Sequence, residues 1–546
     1  MRSGSNPRDL PAARHVTMNQ GSSPQDPPTE PMEKDIPQNG VVRQTTLLDV
    51  LHAVSSLLVP PTRVRILTQA NKELQDFFSF IGAPDERLLR TDVDTDFEVM
   101  PQWKIPRALT TLRSTRPGTQ CLQNVLYTYL LSHGPFLHLT NLDVTFIEAP
   151  HNPWAILRGR SVPALQRLRV NYSEGTRPFD SLLLFCGDLP MSLTRLILTN
   201  VGITDMSLSE DVLQRLGSLS LVELDMSDNY LEPRGVARVI SAVNKTSIET
   251  LLLGHTYANF ERDTSQASGL PGNIESMTNL KGLCLARMYF SSEDIQEIIG
   301  KIPLTMLSLD LEAVTRDENL QRTTLQGLTR LEDLLELSLN GNQCCLCEVL
   351  NVLPTSIIRL YLSDLQGCSG SSQLQRFERM TNLEDLRIGR HREKLSPRYA
   401  AEAMLHMPPT LKVLHLRYFV VNFSFATPVP CDFGHLVHLQ RLVVSGQRWY
   451  ESIIHNLPLL GKLYDLQLSA CSLGLNNAAF ANVLRCVDQC TSLRRLDLAH
   501  NKITSIPNPQ RFSNLTELCL LGNTLNVPPT PEAGYPDMLI IVGGRD

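Results

Sequence analysis

One short pattern recurs along most of this chain: an apolar residue, two variable residues, Leu, one variable residue, and then Leu, Ile or Val. Successive copies begin about 27 residues apart on average, and a period of this kind is the signature of stacked structural units. Each unit buries its apolar face only against its neighbours, so the pattern restricts the chain to a repeat architecture. The fifteen copies begin at Leu139, Leu165, Leu193, Leu221, Ile248, Leu280, Leu304, Leu334, Ile357, Leu383, Leu411, Leu439, Leu463, Leu493 and Leu515.

Each copy predicts a short strand followed by a turn. Apolar and variable residues alternate within the pattern, and alternate side chains of a strand point to opposite faces. The apolar residues therefore lie in the core, and the third, fifth and seventh residues of each copy are exposed. In the clearest copies an Asn follows, as at Asn229, Asn501 and Asn523, and we expect its side chain to satisfy backbone groups at the turn. Cys471 takes this place in the copy at Leu463.

The segments between the strands change to a helical period, most clearly over residues 235–243, 292–299 and 478–486. The copies resemble leucine-rich repeats, and coils of strand, turn and helix near 28 residues resemble the ribonuclease-inhibitor type. This resemblance implies an α/β fold, a right-handed solenoid or horseshoe of about 15 coils over residues 135–546, with parallel strands on its concave face. Because the copy spacing ranges from 22 to 32 residues, we also expect local irregularity, and we expect residues 536–542 to form a closing strand.

The segment before the repeats has a different composition. Residues 1–42 are rich in Pro, Ser, Gln and Asn and predict a disordered arm. Apolar spacing on both sides of Pro60 and Pro61 predicts a helical module over 43–100, followed by a helical connector or cap over 101–134. The chain thus places a short helical module in front of the repeat array.

The helical module resembles the latter part of an F-box. The stretch 54–77 has an apolar helix ending in Leu and Pro, followed by a helix ending in Asn, Lys and a large apolar residue. It lacks the Leu-Pro pair that opens the first helix of the family, and Leu74 stands where Trp is common. The resemblance implies docking to the adaptor of a cullin-type ubiquitin ligase; the alternative is a cap over the first coil. The implied adaptor-binding residues are Leu57, Leu58, Pro60, Val64, Leu67 and Leu74.

Charge and composition limit the partners and the location. The chain has 50 basic and 56 acidic residues, so its net charge of -6 predicts no general attraction to nucleic acid or to a membrane surface. It contains no run of about 18 apolar residues, and its first forty residues lack the apolar stretch of a signal peptide. We therefore expect an intracellular protein, cytoplasmic or nuclear, whose twelve Cys are reduced.

The exposed strand residues provide a map of the candidate partner-binding surface. We call the row formed by the fifth residue of every copy the middle column. Together with flanking residues it predicts a basic, partly aromatic patch of the kind that binds acidic or phosphorylated protein segments. An open alternative is that Asp385 and nearby acids pair with these arginines and neutralise the patch. The predicted patch comprises Arg359, Tyr361, Arg387, His415, Arg417 and Arg441.

The middle column is predicted to contain Asp143, Arg169, Ile197, Asp225, Leu252, Cys284, Ser308, Ser338, Tyr361, Arg387, His415, Val443, Gln467, Asp497 and Cys519. Upstream of the basic patch, an acidic region is expected from Asp225, Glu223, Asp310 and Glu336. The face is therefore expected to carry both signs of charge on different coils.

The sequence shows no enzymatic motif. Cys344, Cys345 and Cys347 form a dense thiol cluster, but no second Cys/His pair lies at zinc-ligand spacing. The chain also lacks a phosphate-binding Gly-rich loop and a nucleophile elbow. We therefore expect no enzyme, no metal and no cofactor. The preferred interpretation is the substrate-recognition subunit of a cullin-type ubiquitin ligase. The alternative is a stand-alone scaffold or regulator, including a GTPase-activator-like one.

Overall fold

In the computed structural model the chain divides into two units, Met1–Gly82 and Ala83–Asp546. All described residues belong to the second unit. The predicted arm and the six predicted adaptor-binding residues, Leu57, Leu58, Pro60, Val64, Leu67 and Leu74, lie outside the described residues. The structure describes residues 88–90, 111–114, 137–146, 162–172, 187, 189–243, 247–255, 270–315, 322–342, 344–363, 374–389, 402–417, 432–446, 454–506, 514–526 and 539–542.

Within the described residues the second unit forms a parallel sheet of eighteen strands, in which strands consecutive in the sequence are paired. This order confirms the predicted α/β leucine-rich-repeat solenoid. The strands are β1 Leu88–Arg90, β2 Thr111–Ser114, β3 Asn141–Phe146, β4 Arg167–Tyr172, β5 Arg195–Thr199, β6 Glu223–Asp225, β7 Thr250–Leu252, β8 Gly282–Cys284, β9 Ser308–Asp310, β10 Glu336–Ser338, β11 Arg359–Ser363, β12 Asp385–Gly389, β13 Val413–Arg417, β14 Arg441–Ser445, β15 Asp465–Ser469, β16 Arg495–Asp497, β17 Glu517–Cys519 and β18 Leu539–Ile541.

The return segments between strands contain α-helices in some coils and short 3-10 helices in others, as the uneven spacing predicted. The three predicted helices are confirmed by Pro233–Val243, Ser292–Lys301 and Asn477–Asp488. The other α-helices are Glu210–Ser218, Leu270–Glu275, Arg322–Leu325 and Leu346–Val352, and residues 402–405 are also helical. The 3-10 helices are Asp205–Ser207, Gln326–Arg330, Leu374–Arg379, Ile454–Leu459 and Leu473–Leu475.

Local sequence explains where these helices begin. Ser291 precedes the helix Ser292–Lys301 and forms a capping box with Asp294, in which each side chain binds the backbone N–H of the other residue. Such a cap satisfies donors that the first helical turn leaves unpaired and contributes about 1 kcal/mol. Ile295, Ile298 and Ile299 then bury one face of this helix. The helix therefore forms and packs as the 3.6-residue period predicts.

The core of the solenoid is a set of apolar ladders. Leu386, Leu414 and Leu442 occupy equivalent places in successive strands and are fully buried. Each such side chain contributes about 2 kcal/mol when it leaves water. Because the neighbours of each leucine come from the preceding and following coils, burial depends on stacking and not on the single coil.

A buried Asn joins neighbouring coils at the turn, as predicted. Asn229 Oδ1 accepts hydrogen bonds from the N–H groups of Val201 (3.1 Å) and Ile203 (3.0 Å) in the preceding coil. Its Nδ2 donates to the carbonyl oxygens of Leu198 (2.7 Å) and Met226 (2.8 Å). The amide thus satisfies backbone groups that would otherwise be buried without partners.

The eighth residue of many copies turns the chain out of the strand. Ten of these positions have positive φ angles between 44° and 75°, in the left-handed region that a turn requires. Only three of them are glycine, so residues with larger side chains also adopt this turn conformation. These residues are Asn200, Asp228, His255, Arg287, Ala313, Gly341, Gly446, Ala470, His500 and Gly522.

One copy is displaced by two residues from the prediction. The sequence pattern predicts that this copy begins at Leu304, but the strand register pairs Cys284 with Asp310, which makes Met306 the first residue. Met306 is fully buried, whereas Leu304 is 58% exposed. Both choices satisfy the pattern because leucines stand at Leu307, Leu309 and Leu311, each two residues apart. The middle column therefore contains Asp310, and the prediction of Ser308 was wrong.

The sheet also begins earlier than the pattern indicated. Strands β1 and β2 lie in the stretches 43–100 and 101–134, for which only helices were expected, and β2 pairs with β3. The pattern does not predict β2, because Ser114 stands where an apolar residue is required. The solenoid limit of 135 and the other domain limits remain predictions. At the other end, β18 lies within 536–542, where a closing strand was expected.

Candidate partner-binding face

Parallel pairing aligns the middle column into one continuous row across the sheet. Tyr361 pairs with Arg387, Arg387 with His415, and His415 with Val443. Apart from the copy at Met306, the register places every predicted middle-column residue from Asp143 to Cys519 in this row. We call the side of the sheet that carries the row the sheet face.

Arg387 is the most constrained arginine of the predicted patch. Its Nε and Nη2 donate to Asp385 Oδ1 (3.1 Å) and Oδ2 (2.9 Å), a two-point contact. Its guanidinium carbon also lies 4.8 Å from the centroid of the Tyr361 ring. The hydrogen bonds that Arg387 donates to Asp385 raise the pKa of Arg387, and burial raises the pKa of Tyr361. The side chains of Arg387 and Tyr361 are thus held in one arrangement by their neighbours.

Two further arginines of the patch have acidic partners. Arg359 Nη1 lies 2.8 Å from Glu336 Oε2, and Arg441 Nε lies 3.1 Å from Asp465 Oδ2. Since Arg387 is also paired, three of the four arginines of the patch have an acidic partner that neutralises their charge, as the alternative interpretation expected. The Arg359–Glu336 pair is exposed, and such pairs typically contribute about 0–1 kcal/mol to stability. Asp465, in contrast, is buried.

Arg417 differs from the other three arginines. It ends β13 with an exposed side chain, and no salt bridge to it is found within the described part of the chain. The four arginines therefore face three carboxylates, which leaves one net positive charge on this part of the sheet face.

His415 is buried between these arginines. Burial lowers its pKa to about 4, and the charges of Arg387 and Arg441 act in the same direction. At neutral pH the imidazole is therefore uncharged, so His415 adds no positive charge to the patch. Its Nε2 is buried and has no hydrogen-bond partner in the described ranges. This nitrogen is an unused polar group beside the Arg387 side chain.

A second cluster on the sheet face was not predicted. His255, Cys284 and Asp310 converge from three successive coils, with every pair of potential ligand atoms within 4.8 Å. They line a surface groove of about 490 Å³ with Ser227 and Glu336, among others. The sequence pattern predicts Ser308 in the middle column, where the structure has Asp310. The pattern also assigns no role to the eighth residue of a copy, which is the position of His255. If the copy begins at Met306, its spacing to the neighbouring copies is more even, and Asp310 falls in the middle column beside Cys284.

Of the seven other described cysteines, five are buried and two, Cys345 and Cys519, are half-buried. Cys486 and Cys490 are one helical turn apart and both buried, and Cys490 Sγ donates to the Cys486 carbonyl oxygen at 3.2 Å. Cys344 and Cys347 are also buried, and burial raises the pKa of Cys344 to about 12. All described cysteines are free thiols. The high pKa values argue against reactive thiolates.

No described helix is both long and apolar enough to cross a membrane. A family model for leucine-rich repeats, comprising two copies, matches residues 491–529. No curated protein matches the sequence. Among solved structures, a leucine-rich-repeat protein of Leptospira interrogans is 18% identical, with 74% of this chain and 90% of that chain covered and a TM-score of 0.39. The repeat pattern and the sheet thus give this chain the fold of a leucine-rich-repeat solenoid, and such solenoids are typically scaffolds for protein–protein interaction.

Proposed function

We propose that this protein binds an acidic segment of a partner protein on the concave side of the solenoid, across strands β11–β14. The observation that carries the proposal is Arg417, whose charge is exposed and without a salt bridge in the described part of the chain. A carboxylate or phosphate of the partner would supply the missing acidic group.

Neighbouring side chains add selectivity to this contact. Arg387 and Tyr361 are held in place before binding, so little side-chain entropy is lost when a partner covers them. Tyr and Arg are also the residues that most often dominate binding energy in interfaces. Because the four arginines of the patch and their three carboxylate partners sum to only one net positive charge, we expect recognition of a few placed acidic groups and not of polyanions in general.

The test uses the full chain and fluorescent peptides rich in Glu, with phosphoserine-containing and Lys-rich peptides for comparison. We expect the acidic peptides to bind and Arg417→Glu to weaken binding by more than about tenfold, the loss expected for an anchor. Arg195→Glu is the control, since Arg195 is exposed on β5 of the same sheet face and undergoes the same change of charge, but already has an acidic partner in Glu223 at 3.6 Å.

The two variants separate local binding from general electrostatics. Equal weakening by Arg417→Glu and Arg195→Glu would show that only the total charge matters and would contradict the proposal. Unchanged binding in Arg417→Glu would also contradict it. Arg417→Glu should unfold at the wild-type urea concentration, because an exposed side chain without a salt bridge contributes little to stability.

In the finer form of this proposal, the protein is the substrate-recognition subunit of a cullin-type ubiquitin ligase. Its support is the F-box-like pattern at 54–77, which precedes the repeats as in that family, and the division of the chain after Gly82. In this form residues 45–80 bind the ligase adaptor and the solenoid holds the protein to be modified.

Co-precipitation of the full chain with the ligase adaptor tests this form. We expect binding by the wild type and by Arg417→Glu, and loss of binding in the double variant Leu57→Asp, Leu67→Asp. If the wild type does not bind the adaptor, the ligase role is wrong. If acidic peptides then still bind, the protein is a stand-alone scaffold or a regulator, including a GTPase-activator-like one.

A further inference from the structure

The side chains of His255, Cys284 and Asp310 meet although they are separated by 55 residues of sequence from first to last. His255 Nε2 lies 3.8 Å from Asp310 Oδ2, and Cys284 Sγ lies 3.5 Å from the same oxygen. In a tetrahedral site with metal–ligand bonds of about 2.0–2.3 Å, ligand atoms are about 3.3–3.8 Å apart. The two distances are thus already near the separations that a single ion requires.

We propose that His255, Cys284 and Asp310 form a binding site for a zinc ion on the sheet face. Imidazole nitrogen, thiolate sulfur and carboxylate oxygen are the three ligand types that zinc accepts in proteins. A neutral imidazole, a thiolate and a carboxylate together carry two negative charges, which balance the charge of the ion. Three protein ligands leave a fourth tetrahedral position, and all three residues line the same surface groove, so water or a partner side chain can complete the site.

The backbone holds the three residues in register. Cys284 and Asp310 are paired across β8 and β9, and His255 N–H donates to the Ala286 carbonyl oxygen at 2.5 Å. Gly254 permits this close approach, since a Cβ there would lie 2.4 Å from Ala286 N and 2.8 Å from Cys284 Sγ. The ligand positions therefore follow from strand pairing and not from mobile loops.

The Asp310 carboxylate is oriented toward the other two side chains. Its Oδ1 accepts a hydrogen bond from the Glu312 N–H at 3.0 Å, while Oδ2 faces His255 and Cys284. Groups that orient a metal ligand in this way add to the affinity of the site. One oxygen is thus used for orientation and the other remains available to an ion.

A nucleophilic role fits this cluster less well. Burial, followed by the charge of Asp310, raises the pKa of Cys284. The thiol is therefore protonated at neutral pH, whereas a catalytic cysteine needs a lowered pKa. Zinc binding would form a sulfur–zinc bond and release the thiol proton to solvent, because the ion then neutralises the thiolate.

A second triple of the same residue types supplies a matched control. His500 occupies the eighth position of its copy, as His255 does, and Asp497 and Cys519 are paired in the middle column. Within the described residues, however, only His255, Cys284 and Asp310 bring their ligand atoms together. Substitutions in the two triples therefore remove the same types of side chain, but only in the first triple do the ligand atoms converge.

The experiment titrates the full chain with Zn²⁺ in competition with a chromophoric chelator, and circular dichroism checks the fold of each variant. We expect one site per chain. Groups that only orient zinc ligands contribute about 10- to 100-fold to affinity, so Cys284→Ser, His255→Asn and Asp310→Asn should each weaken binding by more than about tenfold. Cys519→Ser and His500→Asn should leave the affinity unchanged.

Absence of zinc binding by the wild type would overturn the proposal, as would equal losses in the two sets of variants. Replacing Zn²⁺ by Co²⁺ provides a readout on the unaltered protein, because a cobalt–thiolate bond gives a charge-transfer band in the near ultraviolet. No such band in the wild type would also refute the site. A band that persists in folded Cys284→Ser would place the ion on another cysteine.

Discussion

Replacement of Asn501 by Ala tests how the turn amides hold the solenoid together. Asn501 is fully buried, and its Oδ1 accepts a hydrogen bond from the Cys471 N–H at 2.8 Å. Its Nδ2 donates to the carbonyl oxygens of Leu468 (2.5 Å) and Leu498 (2.9 Å). Alanine removes these three hydrogen bonds and two longer ones, with the Leu473 N–H (3.4 Å) and the Ala499 carbonyl oxygen (3.2 Å), and leaves the backbone groups buried. At about 1 kcal/mol for each of the three shorter bonds, we expect a loss of about 3 kcal/mol in the free energy of unfolding.

Urea unfolding measures the loss, and hydrogen exchange of the Cys471 amide localises it. Because each coil of a solenoid contacts only its neighbours, exchange should accelerate in the coils around β15 and β16 and not near β5. Asn482→Ala is the control, since Asn482 lies on the surface of the helix Asn477–Asp488, and its effect should stay within about 0.5 kcal/mol. A loss below about 1 kcal/mol for Asn501→Ala would refute this account of the turn amide.

Two further predictions concern burial on the two sides of the sheet. Met306→Asp should destabilise strongly, by more than about 3 kcal/mol in urea unfolding, whereas Leu304→Asp should have little effect; the reverse order would restore the original register. The lowered pKa of His415, about 4, means that the unfolded chain binds a proton at higher pH than the folded chain does. The associated stability is fully present above pH about 6.5, is lost as the pH falls toward 4, and amounts to about 3 kcal/mol at most. His415→Gln should therefore flatten the decline of the urea midpoint between these pH values, and an equally steep decline would exclude His415 as its cause.

The pattern of leucines was sufficient to predict the strand–turn–helix coil and the face on which each strand residue lies. Side chains of a strand alternate between its two faces, so the sequence alone predicts that Leu386 and Leu414 lie on the face that stacking of the coils buries. The helix Asn477–Asp488 could be predicted because its apolar spacing is local. The Asn501 turn could be predicted because its sequence position relative to the strand is fixed.

Which residues form the row was harder to predict from the sequence, and the copy at Met306 shows why. A shift of one residue would turn the apolar side chains to the wrong face, but a shift of two preserves both faces. The sequence therefore allows either Leu304 or Met306 to begin the strand. Packing against the neighbouring coils buries Met306 and leaves Leu304 58% exposed.

What the sequence alone determined is thus the repeat, its core and the list of residues that share the sheet face. The tertiary structure decided which of those residues meet. It paired Arg387 with Asp385 but left Arg417 without a salt bridge in the described part of the chain, and it brought His255 to Cys284 and Asp310. Contacts across coils depend on strand register and on side-chain rotamers, and neither is encoded in a local period of two or 3.6 residues.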